Sequence, residues 1–161
     1  MRTCALVGLD GAIDWMCYPH FDSPSVFAAI LDAEKGGSFS IIPADSPNAP
    51  RKQLYWPDTN VLLTRFLCEH GVAEVTDFMP VSSRFDSRTT EELTGGAEPI
   101  RLIRTITGVR GSLKFRVSCR PAFDFARVSH ETEVDGSTAR FRPASPATVH
   151  GEDRGARERA R

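Results

Sequence analysis

Apolar and polar residues alternate along most of this chain, and Gly, Pro, Asp and Asn cut the alternation into short runs, which is the pattern of half-buried strands separated by turns. Two such runs, Cys4-Ala5-Leu6-Val7 and Ala12-Ile13-Asp14-Trp15-Met16, flank Asp10-Gly11, a dipeptide whose tolerance of positive φ suits a two-residue hairpin turn. Pro19 ends pairing of the second run. His20-Phe21-Asp22-Ser23-Pro24 then forms a polar loop held at both ends, the usual build of a binding loop. Ser23 is placed to cap a short helix with Pro24 at its first position; Val26, Phe27, Ile30 and Leu31 recur at helical spacing, and Gly36-Gly37 ends it. Residues 38–43 alternate as a strand, and residues 44–57 read as a Pro-, Asn- and Asp-rich connection. Residues 61–67 and 72–79 pair across Glu69-His70-Gly71. Residues 80–99 lack periodicity and are expected to form a mobile excursion. A further hairpin is expected between 100–107 and 112–119 around Val109-Arg110-Gly111, and a last one turns at Asp135-Gly136 between 128–134 and 138–141. The predicted fold is therefore mainly β, an antiparallel β-sandwich with one short helix.

Length and composition narrow the picture. A chain of 161 residues supports one domain with a real core. A formal net charge of −1 argues against nucleic acid or an anionic membrane as partner. The N-terminus lacks the layout of a signal peptide and no apolar run approaches bilayer length, so a soluble, cytoplasmic chain is expected. Cys4, Cys17, Cys68 and Cys119 lie singly in apolar strand-like stretches, which suits buried free thiols better than zinc or redox spacing. No motif implies a metal or an organic cofactor. From Pro143 to Arg161 the composition switches to Pro, Ala, Arg, Glu and Gly, too polar to offset the entropy of ordering, so a disordered tail is expected.

Several stretches carry a resemblance. They are an almost unbroken run from Ala5 to Phe27, then Val72-Ala73-Glu74-Val75-Thr76-Asp77-Phe78-Met79-Pro80, Leu102-Ile103-Arg104 with Gly108-Val109-Arg110-Gly111, and Arg120-Pro121-Ala122-Phe123-Asp124-Phe125. Together they resemble the N-terminal domain of bacterial glycoside hydrolase family 15 proteins, the glucoamylase- and trehalase-like enzymes. The resemblance implies a trehalase-like N-terminal β-sandwich of the super-sandwich type over residues 1–142, incomplete at both ends, with 143–161 a disordered or aberrant tail. Family members carry a further leading strand and a large α/α toroid that supplies two catalytic glutamates for inverting hydrolysis, a reaction needing carboxyl groups roughly 6.5 to 9.5 Å apart. Neither glutamate has a counterpart here: Glu69, Glu74, Glu91, Glu92 and Glu98 fall in none of the catalytic motifs. A truncated reading frame is expected.

The implied role is that of a non-catalytic domain packed on an α/α toroid, with residues 15–24 forming one wall of a cleft for α-glucoside sugars. Asp14, Trp15, His20 and Asp22 are the substrate-cleft candidates. Each has a plainer reading. Trp15 can stack on a pyranose or fill a core; Asp14 and Asp22 can bind sugar hydroxyls or organise turns and caps. His20 stands where the family often has Arg, whose bidentate contacts imidazole does not reproduce. Asp77 is expected at a solvated strand end, and Phe123-Asp124-Phe125 as a strand terminus with two buried aromatics. Two other functions compete with this one. A stand-alone carbohydrate-binding module requires an exposed aromatic platform, with Trp15, Tyr18, Tyr55 and Trp56 as candidates; half of a split glycosidase requires a separately encoded toroid.

Overall fold

The alternation closes into two antiparallel sheets in the computed structural model, which describes residues 3–80 and 101–144. The excursion predicted at 80–99 and the tail predicted from 143 fall almost wholly outside these residues. The first sheet contains β1 (Ala5–Val7), β2 (Ile13–Cys17), β3 (Ser25–Phe27), β4 (Ser38–Pro43) and β9 (Phe115–Arg120), in the order β1-β2-β4-β9 with β3 also paired to β2. The second is the meander β5 (Arg51–Tyr55), β6 (Leu62–Cys68), β7 (Gly71–Phe78) and β8 (Ile103–Gly111). A separate hairpin of β10 (His130–Asp135) and β11 (Thr138–Pro143) follows α1 (Phe123–Ala126), the one short helix among the described residues.

The inner faces pack on each other. Ile41 of β4 meets Phe66 and Cys68 of β6 and Val75 of β7, with Ala49, Phe39, Leu113 and Phe115 around them. The rings of Phe66 and Phe115 meet edge-on at 6.1 Å between the sheets. A second cluster centres on Ile13, Met16 and Phe27 beneath Met79, Leu102 and Cys119. The four cysteines are free, two buried and two half-buried.

Between the clusters sits a charge. Arg104 of β8 faces Asp77 of β7 in register, and their side chains are only 2% and 4% exposed. The guanidinium donates from Nε to Asp77 Oδ1 at 2.8 Å and from Nη2 to Asp77 Oδ2 at 3.0 Å. It then crosses to the first sheet, donating from Nη1 to the Phe39 carbonyl at 2.6 Å and from Nη2 to the Gly11 carbonyl at 2.5 Å, and lies 4.8 Å from the Phe39 ring centroid. Asp77 is thus no solvated strand end. It shares the inward parity of Ala73 and Val75, and the arginine's forked donors satisfy it.

Other departures from the sequence reading have local causes. The first hairpin turns through Leu9, Asp10 and Gly11 instead of two residues: Gly11 N donates to Gly8 O at 2.9 Å, and Gly11 takes φ +80, a turn followed by a left-handed residue. The helix predicted after Ser23 is absent. Ser25, Val26 and Phe27 form β3 because Met16 and Cys17 of β2 offer paired backbone partners, and tertiary pairing overrides a weak helical period. Gly36-Gly37 closes turns instead, and a Cβ on Gly37, at φ +68, would collide with the Arg120 carbonyl. Within the expected connection at 44–57, Arg51–Tyr55 pairs with β6 as an edge strand, its outward polarity masking the alternation. The hairpin expected around Val109-Arg110-Gly111 does not form: β8 runs on to Gly111 and pairs β7, while β9 crosses to the other sheet and pairs β4. The strand at 38–43, the β6–β7 hairpin and the β10–β11 turn at Gly136, φ +55, lie as expected.

Removing one partner of a buried ion pair strands the other charge. Asp77→Ala and Arg104→Met are each expected to lower unfolding free energy by about 3–5 kcal/mol, with much of the loss recovered in an Asp77→Leu/Arg104→Met double variant. Urea denaturation measures all three, and single variants within about 1 kcal/mol of the parent would refute the assignment.

Candidate functional site

β2 carries the candidate residues, and its position is set from below. Gln53 Nε2 donates to the Gly8 carbonyl and to Thr64 Oγ1, both at 3.1 Å, so the turn before β2 is gripped by Gln53 and Arg104 of the opposite sheet. Beyond β2, the loop 18–24 becomes the turn of a β2–β3 hairpin. Tyr18 N donates to Pro24 O at 3.4 Å, Ser23 N to His20 O at 3.2 Å, and His20 N to Ser23 Oγ at 3.1 Å; the Tyr18–Pro19 peptide is cis. Tyr18, His20, Phe21 and Asp22 are exposed at its surface. The turn-forming hydroxyl belongs to Ser23, and the Asp22 carboxylate has no hydrogen-bond partner among the described residues.

Trp15 is half-buried, opposite Leu6 across the β1–β2 pair, and its ring lies 5.8 Å from that of Phe125. Phe125 was expected to be buried at a strand terminus. Instead it is 40% exposed on α1, a turn in which Asp124, Phe125 and Ala126 take φ values of 51, 57 and 62. Consecutive left-handed residues other than glycine cost roughly 1–2 kcal/mol each, and they persist where the surroundings over-determine them. Here Phe125 N donates to Ser25 Oγ at 2.8 Å, Ala122 N to Val26 O at 2.8 Å, and Arg127 Nη2 to Asp124 Oδ1 at 2.7 Å, with the Arg127 guanidinium 5.5 Å from the Phe125 centroid. The turn and the loop share β3 as their support.

Asp14 lies toward the other end of β2. Its carbonyl accepts from Ile30 N at 3.2 Å. A Cβ built on Gly8 would lie 2.8 Å from Asp10 Oδ1 and 3.1 Å from Asp14 Oδ2, so both carboxylates converge over Gly8. Burial, and secondarily the Asp10 charge, push the Asp14 carboxyl above the usual carboxylate range. Asp10 itself organises the turn, accepting from Ala12 N at 3.0 Å.

The candidates therefore fall into two groups. Trp15 joins Phe125, Asp124 and Arg127, the last three missed by the sequence reading although Phe123-Asp124-Phe125 stood inside a noted motif; His20 and Asp22 occupy the neighbouring loop. Asp14 joins Asp10 at the far turn. Half-exposed rings beside an ion pair and free hydroxyl-binding groups suit recognition of a polar ligand with an apolar face. Among the described residues no three His, Cys, Asp or Glu side chains are placed to hold a metal, and no helix is long and apolar enough to cross a membrane.

A family model described as trehalase-like, N-terminal matches residues 1–147. A trehalase of Mycolicibacterium smegmatis is 36% identical over 141 residues, covering 84% of this chain and 21% of that protein. A trehalase of Thermoplasma acidophilum is 36% identical over 123 residues, covering 75% and 19%, and one of Thermoplasma volcanium 47% identical over 83 residues, covering 50% and 13%. The chain spans about a fifth of the length of these curated relatives, or less. No solved structure matches it.

A raised carboxyl pKa has a definite thermodynamic sign. Between the ordinary value of 3.8 and its raised value, the native Asp14 binds more protons than the unfolded one, so stability falls as pH rises through that window and stays lowered above it. Asp14→Asn is expected to raise Tm at neutral pH, with the gain shrinking to nothing as pH falls through the carboxylate range. A pH-independent difference in Tm would contradict it.

Proposed function

Since the chain belongs to the trehalase-like N-terminal family, we propose that it serves as the non-catalytic sandwich of a glycoside hydrolase family 15-like enzyme acting on an α-glucoside such as trehalose, in the cytoplasm. The observation that carries the reading is that proteins named trehalase align with 75% and 84% of this chain using only about a fifth of their own length. An α/α toroid, in cis or in trans, would supply both catalytic glutamates. In this reading Trp15, Phe125 and the exposed loop bearing His20 and Asp22 form one wall of its substrate cleft.

The geometry supports that role in three ways. The loop is anchored at Tyr18 and Pro24, so its ordering entropy is spent before any ligand arrives. The Asp22 carboxylate, free of turn duties, is left available for a sugar hydroxyl, and Trp15 with Phe125 offers an apolar face to the C–H side of a pyranose. Leu6 at 48% and Ile30 at 61% exposure lie against this same strand, an apolar margin suited to contact with a covering domain.

One experiment tests the proposal. The chain alone is expected to release no glucose from trehalose or maltodextrin, and a chimaera carrying it on the catalytic domain of the M. smegmatis relative is expected to be active. In that chimaera Asp22→Ala should reduce kcat/KM, while its unfolding free energy stays within about 0.5 kcal/mol of the parent because the side chain is exposed and has no partner among the described residues. A purely thermal effect would remove Asp22 from the cleft wall, and turnover by the isolated chain would overturn the non-catalytic role.

A further inference from the structure

At the far end of β5, on the sheet opposite β2, two aromatic side chains stand in solvent: Tyr55 is 62% and Trp56 49% exposed. Neither takes part in a ring contact with another aromatic among the described residues. A fold that buries Ile13, Phe66 and Val75 completely leaves its second tryptophan on a hairpin tip.

The tip is built rather than loose. Trp56 N donates to Val61 O at 3.0 Å and Thr59 N to Trp56 O at 3.2 Å. The Thr59 hydroxyl donates to Trp56 O at 3.0 Å and accepts from Val61 N at 3.1 Å, and Asp58 is held left-handed at φ 57. Residues 57–60 thereby curl back beside the rings. Tyr55, Trp56, Pro57, Asp58, Thr59 and Asn60 line an open surface concavity of about 500 Å³, a platform that would leave one side of a ligand in solvent.

We propose that this hairpin tip is a second, non-catalytic carbohydrate site that takes α-linked glucosyl units. The indole of Trp56 offers an electron-rich face to the C–H side of a pyranose. The Asp58 carboxylate and the Asn60 amide supply an acceptor and a donor for its hydroxyls, and the pre-formed turn lowers the ordering cost of binding. The choice of an α-glucoside rests on the function proposed above; the platform itself does not.

The test uses the full chain with trehalose and maltoheptaose as probes. The sequence holds two tryptophans, so Trp15→Phe leaves Trp56 as the sole indole. Maltoheptaose should produce a saturable emission change in Trp15→Phe, and calorimetric titration should show binding by the parent that is weakened at least about tenfold in Trp56→Ala and measurably in Asn60→Ala. Trp56 and Asn60 are exposed, so unfolding curves of these variants should match the parent. No saturable response to either sugar, or undiminished binding by Trp56→Ala, would overturn the proposal. Because the readout is binding by the chain itself, it can fail while the chimaera is active, or succeed while the chimaera is inactive.

Discussion

A guanidinium buried between two β-sheets constrains everything around it. Taking Arg104 out of water carries a penalty that is offset only if a carboxylate and further acceptors meet its donors in good geometry. Asp77 supplies the carboxylate from the neighbouring strand, and the Phe39 and Gly11 carbonyls supply the rest from the other sheet. Hydrophobic contact between Phe66, Phe115 and Ile41 brings the sheets together without choosing a register. The four bonds of one rigid fork do choose: they require Arg104 opposite Asp77, β4 beneath them, and the turn at Gly11 within reach. The site inherits this order, since β2 starts at that turn and carries Trp15 toward Phe125 and the loop ending at Pro24.

What the sequence made legible was local. The β6–β7 hairpin, the strand at 38–43 and the Asp135-Gly136 turn depend on alternation and turn residues within a few positions of each other, and they lie where the pattern puts them. What it hid depends on distant partners. Val26, Phe27, Ile30 and Leu31 satisfy a helical period, yet Ser25–Phe27 is a strand because Met16 lies beside Phe27 in the folded chain. β8 and β9 adjoin in sequence but belong to different sheets. Asp77 looked like a solvated strand end because a carboxylate at an inward position makes sense only with Arg104, 27 residues away; the inward parity of Ala73 and Val75 was the signal that could have placed it.

The candidate site was half legible for the same reason. Trp15, His20 and Asp22 lie close together in one stretch of sequence, and the structure keeps them on one hairpin and its loop. Phe125 and Arg127 reach that region only through a left-handed turn tied to Ser25, a geometry no propensity predicts for Asp, Phe and Ala. Asp14, grouped with them by proximity in sequence, faces Asp10 over Gly8 instead. A strand end and a turn thus divide residues that the motif presents as a unit.

The dependence of the hairpin turn on the opposite sheet is most directly measured by amide hydrogen exchange in Arg104→Lys. A lysine keeps the charge and one bond to Asp77 but lacks the planar fork that reaches Phe39 and Gly11. The clamp account predicts lost protection in residues 8–13 and at β4 together with β7 and β8, as one opening unit. Loss confined to β7 and β8, with the Gly11 turn and β4 exchanging as in the parent, would contradict it.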